Sequence, residues 1–215
     1  MSRTLLVVSL ALVASLQGSM QIVSTAPGTV AEGDPVSALS IMAQIVGPAA
    51  AAETTGAAVE GVADARGNLH VPEDYRTRYR FIGSWAVAAD DKGSKEVHMV
   101  YASPGAVEGY LKSGHFEDGA VLVKEVFGAK TAEMTTGTVS HADSLKGWFV
   151  MVRDGKNIAH PGNALWGDGW GWSWFDYGNT AKTTSTNYKI DCMGCHVPAT
   201  STDFIYVDGY PSLKR

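Results

Sequence analysis

A pentapeptide near the C-terminus, Cys192-Met193-Gly194-Cys195-His196, constrains this chain more than any other segment. CxxCH is the spacing at which haem is attached through two thioether bonds. A chain carrying it must fold around a flat, largely apolar macrocycle and present one histidine to the iron. Residues three and four apart share a helical face, so Cys192, Cys195 and His196 can all point to one side of a helical turn. The sulfurs then bond to the porphyrin periphery, and the neutral imidazole of His196 reaches the iron from the proximal side. The competing readings are a Cys192–Cys195 disulfide or a thioredoxin-like redox pair, but no strand–helix pattern of that kind surrounds the motif.

The other bounds agree with a haem protein outside the cytoplasm. With 215 residues, 45% hydrophobic and 18% charged, the chain suits one globular domain plus extensions. Residues 1–18 have the layout of a secretory signal peptide: Arg3, an apolar run from Leu5 to Leu16, then small and polar residues around Gln17, Gly18 and Ser19. The run is short for a membrane span, and a retained N-terminal anchor is the alternative. Because c-type haem is attached after export, both features place the protein in the periplasm. Loss of residues 1–18 moves the formal charge from -5 to -6. That balance disfavours nucleic acid and suits a basic, soluble electron-transfer partner. Residues 19–61 are rich in Ala, Gly, Thr and Val, with Pro27, Pro35 and Pro48, and read as a poorly ordered tether. A short helix over Val36 to Val46 is the competing reading there. The haem domain then spans 62–215.

Within that domain the strand signals are short and numerous: Tyr79 to Ala88, Lys95 to Ala102, Ala120 to Phe127, Gly147 to Arg153, Gly169 to Phe175 and Phe204 to Val207. Asp90-Asp91-Lys92-Gly93 joins the first two as a hairpin, and Asp154-Gly155 closes the fourth. Ser103 is placed to cap a helix that Pro104 opens and Gly114 ends. A second short helix carries the CxxCH motif, with Asp191 as its cap and Pro198 as its stop. The fold class expected is mainly β (α+β): an antiparallel sheet with a few short helices, and not an all-helical cytochrome or four-helix bundle.

Several residues are candidates for the rest of a haem site. Alternation puts Leu122, Lys124 and Val126 on one face of their strand, and Val121, Val123, Glu125 and Phe127 on the other. An inward Lys124 is a desolvated, nucleophilic amine; the plainer reading is a lysine guarding an edge strand. Trp166, Trp170, Trp172 and Trp174 alternate with Gly169, Gly171 and Ser173, which suggests one aromatic face for core or dimer packing and one bare face open to a backbone or flat ring. His98 shares a strand face with Glu96, Val100 and Ala102, either as a distal histidine or as a hydrogen-bonded structural one. Met99, Met134 and Met151 are candidate sixth ligands.

Read together, the segments Gly67-Asn68-Leu69-His70-Val71-Pro72-Glu73-Asp74-Tyr75-Arg76, Val100-Tyr101-Ala102-Ser103-Pro104, Gly114-His115-Phe116-Glu117-Asp118-Gly119, Val123-Lys124-Glu125 and the C-terminal CxxCH resemble the cytochrome P-460 family, which includes the β-sheet cytochromes c-prime. The resemblance covers about Val62 to Lys214. It implies a homodimer of β-sheet domains, each with one covalent haem c ligated by His196. It also implies that Lys124 stands where hydroxylamine-oxidising members carry a lysine bonded to the porphyrin rim. The sequence departs from the family in two places. His98 stands where the family has a distal arginine, and Phe149, Val150 and Met151 replace the region of a distal carboxylate, so the pocket is more apolar. Two functions follow from the resemblance: oxidation of hydroxylamine or a related small nitrogen compound, with Lys124 and His98 as catalytic residues, or nitric-oxide binding or electron transfer resembling cytochrome c-prime.

Overall fold

In the computed structural model the described residues are 61–90 and 92–215. The expected signal peptide, residues 19–60 of the expected tether and Asp91 of the first hairpin lie outside them. Strands β1 (Arg80–Ala88), β2 (Ser94–Ala102), β3 (Val121–Met134), β4 (Gly137–Arg153), β5 (Trp166–Gly167) and β6 (Trp170–Asp176) form a six-stranded sheet in the order β1-β2-β3-β4-β6-β5. Every neighbouring pair is antiparallel. The helices are short: α1 (Tyr75–Arg78), α2 (Ala106–Ser113), α3 (Tyr188–Asp191) and α4 (Met193–His196), followed by 3-10 turns at Val197–Thr202, Val207–Gly209 and Pro211–Leu213.

Period-2 alternation divides the strands between two apolar layers. One face carries Val100, Leu122, Met151, Trp170 and Trp172 against α2 and the C-terminal segment. The other carries Val121, Val123, Val150, Val152 and Phe175 against Val62, Leu69, Val71 and Tyr75. The expected facing of β3 is therefore the observed one. Glu125 belongs to the second layer although it is charged, and it is 1% exposed. Tyr75 Oη donates to Glu125 Oε1, Arg76 Nε donates to the same oxygen at 2.6 Å, and Trp148 Nε1 donates to Tyr75 Oη at 2.9 Å. Burial, and then the carboxylate beside it, push the Tyr75 phenol above its ordinary range.

Five local expectations are corrected. β3 and β4 run on beyond Phe127 and before Gly147 as a paired ribbon from Ala129↔Ala142 to Met134↔Gly137. Its side chains are mostly solvent-facing, so no apolar alternation marked it. Phe204 to Val207 is not a strand, because Asp203 and Phe204 are left-handed (φ 54 and 63) and a 3-10 turn follows. Ser103 does not cap α2; Gly105 occupies that position, and the Ser103 hydroxyl accepts from Val121 N–H at 2.9 Å. Asp191 ends α3 instead of capping α4. Trp166 leaves the tryptophan row because the chain reverses between β5 and β6. Its ring covers the bare side of Gly171, where a Cβ would come within 2.8 Å of it. Gly114 ends α2 as expected, with φ 84.

Replacing Glu125 with alanine takes the acceptor away from the buried Tyr75 hydroxyl, while the half-exposed Arg76 turns to water. The loss expected for an unpaired buried group is about 1–3 kcal/mol. Urea unfolding of Glu125→Ala checks this; an unchanged midpoint would mean that water replaces the carboxylate.

Candidate haem site

The CxxCH segment is held by local hydrogen bonds more than by helix length. Asn187 Oδ1 caps α3 by accepting from Lys189 N–H at 3.0 Å. Asp191 Oδ2 reaches back to accept from Thr186 N–H at 2.7 Å and Asn187 N–H at 3.0 Å. Those backbone donors hold its carboxyl below the usual range. The chain kinks at Cys192 (φ -123, ψ -42), so the motif straddles two helical turns. Cys192 is buried and Cys195 exposed, and neither is in a disulfide. Burial pushes the Cys192 thiol up to about 11, which opposes the thioredoxin-like reading because such chemistry needs a thiolate near neutral pH.

The orientation of His196 is explicit. Its Nδ1 lies 2.7 Å from the Phe204 carbonyl oxygen. A carbonyl only accepts, so Nδ1 carries the proton and Nε2 keeps a free lone pair. Desolvation lowers the pKa of His196, and the Phe204 carbonyl opposes that shift without being the larger influence. The edge of Trp172 packs on the imidazole at 5.0 Å between ring centres, with the planes 74° apart. Trp172 was expected mainly to fill the core. It does so, at 1% exposure, and also buttresses this histidine. The carbonyl that orients His196 comes from two successive left-handed non-glycine residues, Asp203 and Phe204. Each such residue costs on the order of 1–3 kcal/mol unless its surroundings hold it.

Beside the motif lies a cavity of about 120 Å³, lined by Val100 of β2, Leu122 and Lys124 of β3, Phe149 and Met151 of β4 and Trp172 of β6, together with Ile205, Tyr206 and Tyr210 of the C-terminal segment. A second space of about 370 Å³ shares Lys124, Phe149, Cys192, Cys195 and His196, and is also lined by His98, Glu96 and Lys146. The second volume lies within the range of small-ligand and cofactor pockets. β3 is a central strand, so Lys124 does not guard an edge. Its Nζ sits 4.3 Å over the Phe149 ring. Burial is the main influence that lowers its pKa.

His98 Nε2 is 3.0 Å from Glu96 Oε2, and Lys146 Nζ donates to Glu96 Oε1 at 2.9 Å. The carboxylate can only accept, which puts the proton of neutral His98 on Nε2 and leaves Nδ1 as the basic nitrogen. Burial lowers the pKa of His98 most, against the pull of Glu96. Of the three candidate methionines, Met151 lines the cavity. Met99 pairs with Glu125 and alternates away from His98, while Met134 is 60% exposed at the β3–β4 tip. The sheet and the C-terminal segment thus bring Cys192, Cys195, His196, Lys124 and His98 around connected space. Sequence reasoning missed Asp203, the Phe204 carbonyl, Tyr206 and Tyr210, all in or beside the segment expected to be a strand.

This donor set fits a covalently held haem. One imidazole offers an unprotonated nitrogen, two unpaired cysteines stand at the edge of the same space, and the walls are apolar.

The depressed pKa of His98 makes stability pH-dependent. The unfolded chain takes up this proton near 6.5, the folded chain only at lower pH. Between the two, the unfolded state holds more protons, so stability falls as pH falls below about 6.5. Glu96, lowered from 4.5 chiefly by Lys146, titrates below that window. His98→Gln is expected to flatten this limb in urea midpoints measured from pH 7 to 5; an unaltered slope would assign it to other groups.

A family model described as Cytochrome P460 matches residues 72–207. No curated protein matches the chain significantly. The matched region runs from the segment preceding α1 through the sheet, Lys124 and the CxxCH motif to Ile205 and Tyr206 of the cavity wall, and ends before Tyr210. The chain therefore belongs to the cytochrome P460 family and is a c-type haem protein.

Proposed function

We propose that this protein oxidises hydroxylamine or a related small nitrogen compound at a haem whose iron keeps one side open to substrate. The observation that carries the reading is Lys124: a desolvated amine on a central strand, facing the same cavity as Cys192, Cys195 and His196. When bound, the haem supplies a Lewis acid and an electron acceptor. His196 would hold the iron through Nε2, while its Nδ1–H stays on the Phe204 carbonyl. Cys192 and Cys195 would hold the porphyrin through thioethers. Lys124, whose pKa burial lowers, would be the residue that bonds to the porphyrin rim.

His98 Nδ1 acts as the proton acceptor for the substrate, and Glu96 holds the ring in that tautomer. Lys146, half-exposed at the outer end of the cavity, steadies Glu96. Electrons leave to a soluble electron-transfer protein. The reading includes export to the periplasm behind the signal-like residues 1–18 and assembly as a homodimer.

The second reading is a nitric-oxide-binding or electron-transfer protein resembling cytochrome c-prime. Phe149 and Met151 favour it, since they put apolar groups on the cavity wall. Such a wall suits a small neutral diatomic better than a ligand that needs hydrogen bonds.

The absorption spectrum of the reduced protein separates the two. A strongly red-shifted main band that is lost in Lys124→Ala, with the thioethers intact, supports hydroxylamine chemistry. An ordinary five-coordinate spectrum shared by both proteins favours gas binding. His196→Ala is expected to remove the proximal ligand; retention of the parent spectrum would overturn that assignment. His98→Gln is expected to slow hydroxylamine turnover about 100-fold or more, and a loss below about threefold would remove His98 from the reaction.

A further inference from the structure

We infer that Asp203 is a positioning residue for the axial histidine: its carboxylate clamps a left-handed turn that aims the Phe204 carbonyl at His196 Nδ1. The inference rests on His196 being the iron ligand.

The turn cannot hold itself. Asp203 and Phe204 both have positive φ (54 and 63), a conformation that aspartate tolerates and phenylalanine rarely adopts. Local bonds begin to fix it, with Phe204 N–H donating to Ala199 O at 2.8 Å and Ile205 N–H to Thr202 O at 3.1 Å. The long-range anchor is the Asp203 side chain, which is 10% exposed. Its Oδ2 accepts from Phe116 N–H at 2.9 Å, and its Oδ1 accepts from His115 Nδ1–H at 3.1 Å. Arg153 approaches Oδ1 at 3.5 Å, donates from Nε to Phe116 O at 3.2 Å, and donates from Nη1 to Gly169 O at 3.1 Å. The clamp thus ties the turn to the ends of β4 and of α2, elements distant in sequence from the CxxCH segment.

This gives a purpose to the segment Gly114-His115-Phe116-Glu117-Asp118-Gly119. Gly114 ends α2 in the left-handed region, and the next two residues deliver the donors that Asp203 accepts. From Arg153 through Phe116 and Asp203 to the Phe204 carbonyl, each link is a hydrogen bond or a single residue of backbone. The last link sets how strongly Nδ1–H is pulled, and so how electron-rich Nε2 becomes toward iron.

The test uses the purified haem protein, with the iron–histidine stretching band of the reduced form and the reduction potential as readouts. Asp203→Ala frees the turn, weakens the bond to Phe204 O, shifts the stretching band to lower frequency and raises the potential. Asp203→Asn keeps one acceptor for Phe116 N–H and tolerates the left-handed backbone, so both shifts are smaller. His115→Ala removes one donor and shifts both readouts the same way; with Asp203→Asn it carries the test if Asp203→Ala does not fold. Asp118→Ala loosens the same loop by freeing Gly155 N–H, now 2.6 Å from Asp118 Oδ1, but leaves band and potential at their parent values whatever it does to Tm. An unchanged band and potential in every Asp203 and His115 variant that holds haem overturns the inference. An iron–histidine band that survives His196→Ala overturns the ligand assignment instead.

Discussion

The pairing of β3 between β2 and β4 sorts two adjacent charged side chains to opposite faces of one sheet. Val100↔Lys124 and Lys124↔Phe149 put the amine over the cavity, while Met99↔Glu125 and Glu125↔Trp148 put the carboxylate in the layer behind it. A slip of one residue exchanges them. Lys124 would then face Tyr75 and Trp148, and Glu125 would face the motif. Two apolar layers resist such a slip, because it also turns Val121 and Val123 out of their core. The Glu125, Tyr75 and Arg76 bonds add a polar lock, since a buried carboxylate is tolerated only where donors meet it.

The opposite wall of the cavity is organised in a different way. No long helix carries the CxxCH residues. Two single turns, a kink at Cys192 and a left-handed corner at Asp203 and Phe204 position them. Short irregular segments place a ligand well only when side chains elsewhere hold them. Here Asn187, Asp191 and Asp203 perform that task through backbone N–H groups. The sheet provides the fixed wall, and the C-terminal segment provides the reactive groups.

Much of this was legible in the sequence wherever a residue's role follows from periodicity or from an invariant spacing. Val121 to Phe127 alternate cleanly, so Lys124 could be grouped with Leu122 and Val126, but pattern alone favoured a lysine guarding an edge, and it took the family resemblance to turn that reading inward. CxxCH announces its chemistry by spacing alone. The β3–β4 ribbon was not legible because both of its faces meet water and no apolar residues mark the period. Trp166 was misplaced because Gly167-Asp168-Gly169 reverses the chain inside what looked like one alternating run. The corner at Phe204 has no signature at all: the phenylalanine with positive φ follows an aspartate whose carboxylate accepts from Phe116 N–H, 87 positions before that aspartate. Asp203 could be recognised only after those donors were seen in space.

The central claim is that Lys124 and the CxxCH motif address one haem from two walls of a single cavity. Proteolytic digestion of the purified protein, followed by mass analysis of the haem-bearing fragments, tests it most directly. The account predicts one fragment set in which haem joins the peptide containing Cys192 and Cys195 to the peptide containing Lys124. Haem found only on the cysteine peptide, with the Lys124 peptide free and unmodified, would contradict it.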